Sequence, residues 1–92
     1  MNLVYSSEAV ADLVRLRAFI AEHNPTAAAQ IASKLVERIN YLQAFPEIGR
    51  MVGEAPTPQV IRDFAFGKYV VRYSLHRQGI AILRVWHHLE AR

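Results

Sequence analysis

The stretch “GKYVVRYSLHRQGIAILRVWHH” at residues 67–88 constrains the fold more than any other part of the chain. It is rich in valine, isoleucine and tyrosine, which favour strands, and “HRQG” at 76–79 divides it into two runs. This pattern predicts two antiparallel strands joined by a tight turn, with Gly79 in a left-handed bulge position. The run “VIRDF” at 60–64 predicts a third strand, so that the three strands form a meander.

Two helices are predicted before these strands, and capping residues mark where they begin. Ser6 or Ser7 can accept a backbone N–H bond at the start of the first helix, and Asn24 followed by Pro25 begins the second. The turn between them is short, so the helices should pack as an antiparallel hairpin. Their predicted apolar stripes are Val10, Leu13, Val14, Leu16, Phe19 and Ile20 in the first and Ala28, Ile31, Leu35, Ile39 and Leu42 in the second.

The order of the elements predicts an α+β fold. A short strand at residues 2–5 comes first, then the helical hairpin, a connection at 46–59, and the three-strand antiparallel meander, which together form one sheet backed by the helices. We expect the first strand to lie beside the last. The connection is long and rich in proline and glycine, so we expect it to be functional or mobile. The sheet face opposite the helices has no predicted element to cover it.

Length and composition narrow the class of protein. The 92 residues are enough for one domain, 1–92, and 52% apolar residues predict a globular chain. There are no cysteines, which excludes disulfides and thiolate sites and is consistent with a reducing compartment. No run of about 18 apolar residues and no signal peptide is recognisable, so we expect a cytoplasmic location.

The charge of the chain is concentrated in its C-terminal half. The net charge is +3, and residues 50–92 hold most of the arginines against only Glu54, Asp63 and Glu90 as acidic residues. A positive half predicts an acidic partner, either nucleic acid or an acidic protein segment. The simpler alternative is a mildly basic surface without a specific partner.

Arg72 is the arginine whose direction the sequence predicts best. Alternation along 68–75 places it with Val70 and Ser74 on the uncovered side of the sheet. Both faces of the strand at 80–87 are fairly apolar, so the direction of Arg84 stays open. The predicted core-facing residues of the strand at 68–75 are Tyr69, Val71, Tyr73 and Leu75.

Basic and imidazole side chains admit a ribonuclease interpretation. Arg62, Arg72, His87 and His88 could hold a phosphate and supply an acid and a base. In the alternative interpretation the arginines pair with Asp63, Glu90 and Glu54, and the histidines lie at the frayed end of a strand.

Other kinds of site are less consistent with the sequence. His87 and His88 are adjacent, so in a strand they should face opposite sides and not share a metal ion. His23 and His76 lie in predicted turns without nearby carboxylates. There is no glycine-rich phosphate loop and no serine in an elbow motif, so we expect neither a metal nor a cofactor.

Three segments in order give the chain a resemblance to a known family: “FPEIGR” at 45–50, “VIRDFAFGKYVVRYSL” at 60–75 and “IAILRVWHHLEAR” at 80–92. Together they resemble the RelE/ParE superfamily of toxins from bacterial type II toxin–antitoxin systems, and the ending is closer to the ParE-like branch. The resemblance implies a small α+β fold in which two helices back an antiparallel sheet. RelE-like members cut messenger RNA on the ribosome, whereas ParE-like members poison DNA gyrase.

The resemblance also bears on which branch is nearer. RelE-like members tend to carry an arginine at the position of Val70 and a basic residue near Leu89, and both residues are apolar here. His87 falls at the position of a histidine that recurs in ParE-like members. The resemblance therefore implies a ParE-like toxin that inhibits DNA gyrase by binding, causes growth arrest and is neutralised by a cognate antitoxin.

The implied partners are an acidic, partly disordered antitoxin and DNA gyrase, with a homodimer or a hetero-oligomer with antitoxin as the assembly. The first alternative is a ribosome-dependent messenger RNA endonuclease, which would use Arg62, Arg72 and His87. The second is a toxin fold that survives as an inactive binding module. The expected docking residues, among which Arg72 is the strongest candidate, are Arg50, Arg62, Arg72, Arg84 and His87.

Overall fold

The computed structural model describes residues 2–53 and 61–90, which run in the order strand, two helices and four strands. The elements are β1 (Asn2–Tyr5), α1 (Ser7–His23), α2 (Pro25–Asn40) with a 3-10 turn at Tyr41–Gln43, β2 (Arg50–Met51), β3 (Ile61–Phe66), β4 (Tyr69–His76) and β5 (Gly79–His87). The α+β prediction is confirmed, and β2 is the strand that the sequence pattern did not predict. Among the described residues, neither helix has the length and apolar character that a membrane span requires.

One mixed sheet contains all five described strands, in the order β1-β5-β4-β3-β2. β1 runs parallel to β5, with Asn2 opposite Gly79 and Tyr5 opposite Ile82, so the first strand does lie beside the last. β3, β4 and β5 form the predicted antiparallel meander. The predicted connection at 46–59 contains β2, and its part from residue 54 onward lies outside the described residues.

Both predicted helix caps are present. The Ser6 side-chain oxygen accepts a hydrogen bond from the Ala9 N–H at 3.0 Å, so Ser6 rather than Ser7 caps α1. The Asn24 Oδ1 accepts one from the Ala27 N–H at 3.1 Å, and Pro25 is the first residue of α2. Each cap satisfies a backbone donor that the helix itself leaves without an acceptor.

The apolar stripe of α2 was predicted correctly, whereas that of α1 was wrong in part. In α1 the predicted residues Val10, Val14 and Phe19 are exposed, and Asp12 is buried among the core residues of the helix. α1 is turned about its axis relative to the prediction because Asp12 faces β5, where it finds donors for both carboxylate oxygens. The buried apolar residues of the core are Ala9, Leu16, Ala28, Leu35, Ile39, Leu42, Val71, Tyr73, Ile80, Ile82, Val85 and Trp86.

The two faces of β4 follow the predicted alternation, and one irregularity adjusts β5 to them. Arg72 pairs with Arg84 but Tyr73 pairs with Ile82, so β5 has one extra residue, Leu83, at this point. The extra residue changes the alternation of β5 half-way along the strand. Ile82 and Val85 therefore both face the helices although three positions separate them.

The glycine prediction was wrong in its position. Gly67, in the turn between β3 and β4, has φ of 56°, and it is the one residue with positive φ in ranges 2–53 and 61–90. Gly79 instead lies inside the β5 ladder. A Cβ there would lie 2.5 Å from the carbonyl oxygen of Asn2, so Gly79 allows β1 to approach β5 closely.

Candidate functional site

Three of the predicted docking residues lie in one line across the sheet. The register places Arg50 of β2 opposite Asp63, Asp63 opposite Arg72, and Arg72 opposite Arg84. Residues that are directly opposite project from the same face, and Val71, next to Arg72 along β4, points into the core. We call Arg50, Asp63, Arg72 and Arg84 the arginine row; it lies on the face away from the helices, as predicted for Arg72.

Arg72 is held in this row by Asp63 and Trp86. Its Nε and NH2 atoms donate to the two carboxylate oxygens of Asp63 at 2.8 and 2.9 Å, and the hydrogen bonds raise the pKa of Arg72. The guanidinium also lies over the Trp86 ring, 5.2 Å from its centroid. The side chains of Arg72 and Asp63 remain 37% and 20% exposed, so the pair stays in contact with solvent.

The face that carries the row is less bare than the sequence implied. No helix or strand among residues 2–53 and 61–90 packs over it, yet Ser74 and Trp86 on this face are buried. The Ser74 hydroxyl bonds the Nε2 of His76 at 2.7 Å, and Arg72 lies across Trp86. Arg72 and Asp63 thus form a partly exposed pair on a face where Ser74 and Trp86 are already covered.

Arg84 belongs to the row by register, but its guanidinium turns to the edge of the sheet. It donates to both oxygens of Asp12 on α1, at 2.8 Å from Nε and 3.0 Å from NH2. The edge of β5 faces α1 at this point because β1 pairs with β5 only as far as Ile82. The direction of Arg84, which the sequence left open, is therefore fixed by Asp12.

Asp12 is the most heavily hydrogen-bonded carboxylate among the described residues. Its side chain is 3% exposed, and it also accepts from the backbone N–H of Val85 at 2.8 Å and from Arg15. Burial by itself would raise the pKa of Asp12, but the donors from Arg84, Val85 and Arg15 outweigh burial and hold that pKa well below its ordinary value. Asp12 therefore joins α1 to β5 as an ionised group.

Arg62 lies on the opposite face from Arg72, since its register partner is the buried Tyr73. Its NH1 donates to the carbonyl oxygens of Glu47 and Gly49, at 3.2 and 2.8 Å. Arg62 thus holds the segment that leads into β2 by its backbone. The Nε of Arg62 is buried and has no hydrogen-bond partner among the described atoms.

The hydroxyl of Tyr73 holds the same segment from β4. It accepts from the Gly49 N–H at 2.9 Å and donates to the Pro46 carbonyl at 2.7 Å. A Cβ on Gly49 would lie 2.6 Å from this hydroxyl, so only glycine fits without a shift. The glycine of “PEIG” is therefore explained by its packing under Tyr73, and the backbone of the segment is held by Tyr73 and Arg62.

His87 and His88 lie against each other, which corrects the prediction that they face opposite sides. Their ring centroids are 4.8 Å apart with an interplanar angle of 27°, and His87 also meets Tyr69 edge-on at 5.3 Å. The prediction failed because β5 ends at His87 and His88 already belongs to the following turn. Within 2–53 and 61–90, no three histidine, aspartate or glutamate side chains are grouped so that they could hold a metal ion.

His87 faces α1 rather than the arginine row. It lines a cavity of about 380 Å³ between α1 and the end of β5, whose other lining residues are Arg15, Leu16, Phe19, Leu89 and Glu90. Glu90 closes this corner, since its carboxylate accepts from the His87 N–H at 2.8 Å and contacts Arg15 at 3.2 Å. The corner is mostly apolar, with one ion pair at its rim.

A second feature of the helix side was missed by the sequence analysis. The rings of Tyr41 and Phe45 stack with centroids 4.8 Å apart, and both are exposed together with Ile48. We call Tyr41, Phe45 and Ile48 the aromatic ridge. Beside it is a groove of about 380 Å³ lined by Lys34, Glu37, Arg38, Tyr41 and Phe66. The sequence signal for the aromatic ridge was the pair Tyr41 and Phe45, two aromatic residues four positions apart immediately after α2.

Comparison with known proteins identifies the family of the chain. The model of a family described as the ParE toxin of a type II toxin-antitoxin system, parDE, matches residues 3–92. This chain belongs to that family. It is a toxin of the RelE/ParE superfamily, and such a toxin has a cognate antitoxin as its partner.

Relatives of this toxin carry names from both branches of the superfamily. “Toxin RelE1” of Caulobacter vibrioides is 33% identical over 91 residues, covering 99% of this chain and 97% of that protein. “Toxin RelE2” of the same organism is 29% identical over 86 residues, covering 94% and 93%. A solved structure titled “Chromosomal ParDE TA system from P. aeruginosa” superposes with a TM-score of 0.81 over 95% of both chains at 24% identity, which supports the fold.

Proposed function

We propose that this toxin acts in the ParE-like manner, inhibiting DNA gyrase by binding and not by cleaving nucleic acid itself. The observation that carries the proposal is that the three residues required by the ribonuclease alternative do not converge. Arg72 projects from one face of the sheet, while Arg62 and His87 project from the other. Along β4, the register partners of Arg62 and His87 are four residues, or about 13 Å, apart.

The same geometry refines the set of docking residues. Arg62 is engaged by backbone carbonyls and Arg84 by Asp12, so both hold the fold together. Arg50 and Arg72 of the row remain accessible, and Arg72 has a fork-shaped guanidinium already oriented away from the core. We therefore expect Arg72 and Arg50 to contribute most to target binding, with His87 in a separate apolar corner.

The aromatic ridge and its groove are suited to the antitoxin. The groove carries Lys34 and Arg38 against Glu37, so its net charge is positive. Exposed aromatic and aliphatic side chains beside such a groove fit an acidic amphipathic segment, which gains affinity from apolar anchors and selectivity from charge. On this proposal the antitoxin covers the helix side in the cytoplasm. The assembly of toxin and antitoxin is then a hetero-oligomer.

The experiment that tests the target uses purified toxin with purified gyrase, supercoiled plasmid and ATP. We expect inhibition of supercoiling and accumulation of cleaved plasmid, both prevented by the antitoxin. Arg72→Ala should abolish this activity, while Arg17→Ala, which removes an exposed cation from α1, should retain it. Unimpaired gyrase in the presence of folded toxin would overturn the proposal.

The messenger RNA endonuclease alternative retains support from the names of the two Caulobacter relatives. It is tested in parallel with translating ribosomes and a defined transcript. Cuts at codon edges that disappear in Arg72→Ala would establish that alternative in place of gyrase inhibition. A toxin that leaves both gyrase and transcript intact and causes no growth arrest on induction would instead be an inactive binding module.

A further inference from the structure

We propose that the arginine row is a binding site for the phosphodiester backbone of nucleic acid and that Asp63 is an internal competitor that occupies it. Such binding does not depend on which enzyme or particle the toxin attacks. The register places one carboxylate between two cations in a line across three strands: Arg50, Asp63 and Arg72. Neighbouring strands are about 4.8 Å apart, so both arginines border the position that Asp63 fills.

Asp63 makes the contact with Arg72 that a phosphate would make. Its two oxygens accept from Nε and NH2 at 2.8 and 2.9 Å, the parallel two-bond geometry by which arginine binds either a carboxylate or a phosphate. The stacking of Arg72 on Trp86 orients the guanidinium, which therefore keeps its direction when the anion is exchanged. Because the pair is partly exposed, an incoming anion can replace Asp63 without unfolding any element.

The surroundings of the row favour phosphate groups over an acidic peptide. The large exposed apolar side chains lie almost entirely elsewhere, among them Phe45 and Phe19 on the helix side. Val4 is the one member of that set that the register places on the face of the row. An amphipathic peptide needs apolar anchors for affinity, whereas a nucleic-acid strand is bound through its phosphates by arginines alone. Trp86 is 8% exposed, so base stacking adds nothing here.

Removing the competitor should strengthen binding. In Asp63→Asn, Arg50 and Arg72 keep their places on either side of residue 63, but the negative charge between them is removed. We expect the affinity for a fluorescein-labelled, single-stranded DNA oligonucleotide to rise about two- to fivefold, the size of a partly exposed ion pair. The dependence of the affinity on salt should steepen as one more phosphate is neutralised.

A matched variant separates this effect from the general gain of positive charge. Glu22→Gln also removes one negative charge, but from the exposed surface of α1. We expect it to leave the affinity for the oligonucleotide nearly unchanged. Equal gains in affinity for Asp63→Asn and Glu22→Gln would overturn the proposal, because the effect would then come from the net charge of the protein and not from a site at the arginine row.

A double mutant tests whether Asp63 acts through Arg72. In the Arg72→Ala background, Asp63→Asn should no longer change the affinity; an undiminished gain there would count against the inference. Circular dichroism and the unfolding midpoint establish that each variant is folded. A polyglutamate peptide is the second probe, and a gain for that peptide as large as the gain for DNA would reject phosphodiester as the ligand.

Discussion

The two faces of the sheet use the same chemistry for different ends. Near the helix side, Asp12 binds Arg84 in a setting where the carboxylate is almost completely buried, and α1 depends on it for its attachment to β5. On the other face, Asp63 binds Arg72 with the same two-bond geometry but in contact with solvent. Burial therefore decides whether an aspartate–arginine pair stabilises the fold or forms a contact that a ligand can replace.

The largest effect is expected from the buried pair. Asp12→Ala removes the acceptor of the Val85 N–H and of the Arg84 guanidinium, and one of the acceptors of Arg15, so we expect a loss of about 3 kcal/mol or more in the free energy of unfolding. Urea denaturation measures it. Glu22→Ala, on the exposed surface of the same helix, should cost less than about 0.5 kcal/mol. If Asp12→Ala lowers the free energy of unfolding by less than about 1 kcal/mol, the Asp12–Arg84 pair is no more important for stability than the exposed Asp63–Arg72 pair.

Acidification should weaken the attachment of α1 to β5 through Asp12. The folded pKa of Asp12 lies below its ordinary value of about 3.9, so its contribution is fully present above that value and is lost as the pH falls toward the folded pKa. In the unmodified chain, we expect the free energy of unfolding to decrease as the pH is lowered from about 4. The decline should be shallower in Asp12→Asn, measured by urea unfolding across the acid range. Identical slopes in the two chains would contradict the role of Asp12.

A third comparison concerns the segment under Tyr73 on the helix side. Gly49→Ala places a Cβ against the Tyr73 hydroxyl and should cost about 2 kcal/mol through overpacking. Gly53→Ala is the matched control because its Cβ would meet nothing within 4 Å. Tyr73→Phe removes the hydroxyl and its two hydrogen bonds, and combined with Gly49→Ala it should cost less than the two single changes added together. Additive losses would argue that the crowding is absent.

The smallest effect on stability is expected from the row. Asp63→Asn should lower the free energy of unfolding by less than about 1 kcal/mol, since the pair is screened by solvent. Thermal or urea unfolding beside Asp12→Ala gives the comparison directly. A loss as large as that of Asp12→Ala would make Asp63 a structural residue and not an exchangeable counterion.

The sequence predicted those parts of the molecule that depend on local chemistry. Ser6, Asn24 and Pro25 identify where the helices begin, because capping involves residues three positions apart. The alternation along β4 likewise gave the direction of Arg72. These features need no knowledge of what lies across the sheet.

The remaining parts depend on contacts between distant segments. The apolar pattern of α1 predicted that Val10 and Val14 face inward, because two of the donors that allow Asp12 to be buried, Arg84 and the Val85 N–H, lie 72 and 73 positions away in the sequence. The arginine row depends on the register between β2, β3, β4 and β5, and the irregularity at Leu83 determines how Arg84 is placed. Neither can be read from a single strand.

The position of β5 in the sheet determines when the strands can pair during folding. β5 follows the other four described strands along the chain, yet it lies between β1 and β4, and its Leu83 carbonyl accepts a hydrogen bond from the Ser6 hydroxyl across 77 residues. Within the described sheet β1 therefore has nothing to pair with until β5 has been synthesised, and closing so long a loop slows folding. We expect a nascent chain that stops before Gly79 to be protease-sensitive in pulse-labelling experiments, and resistance at that length would refute this order of events.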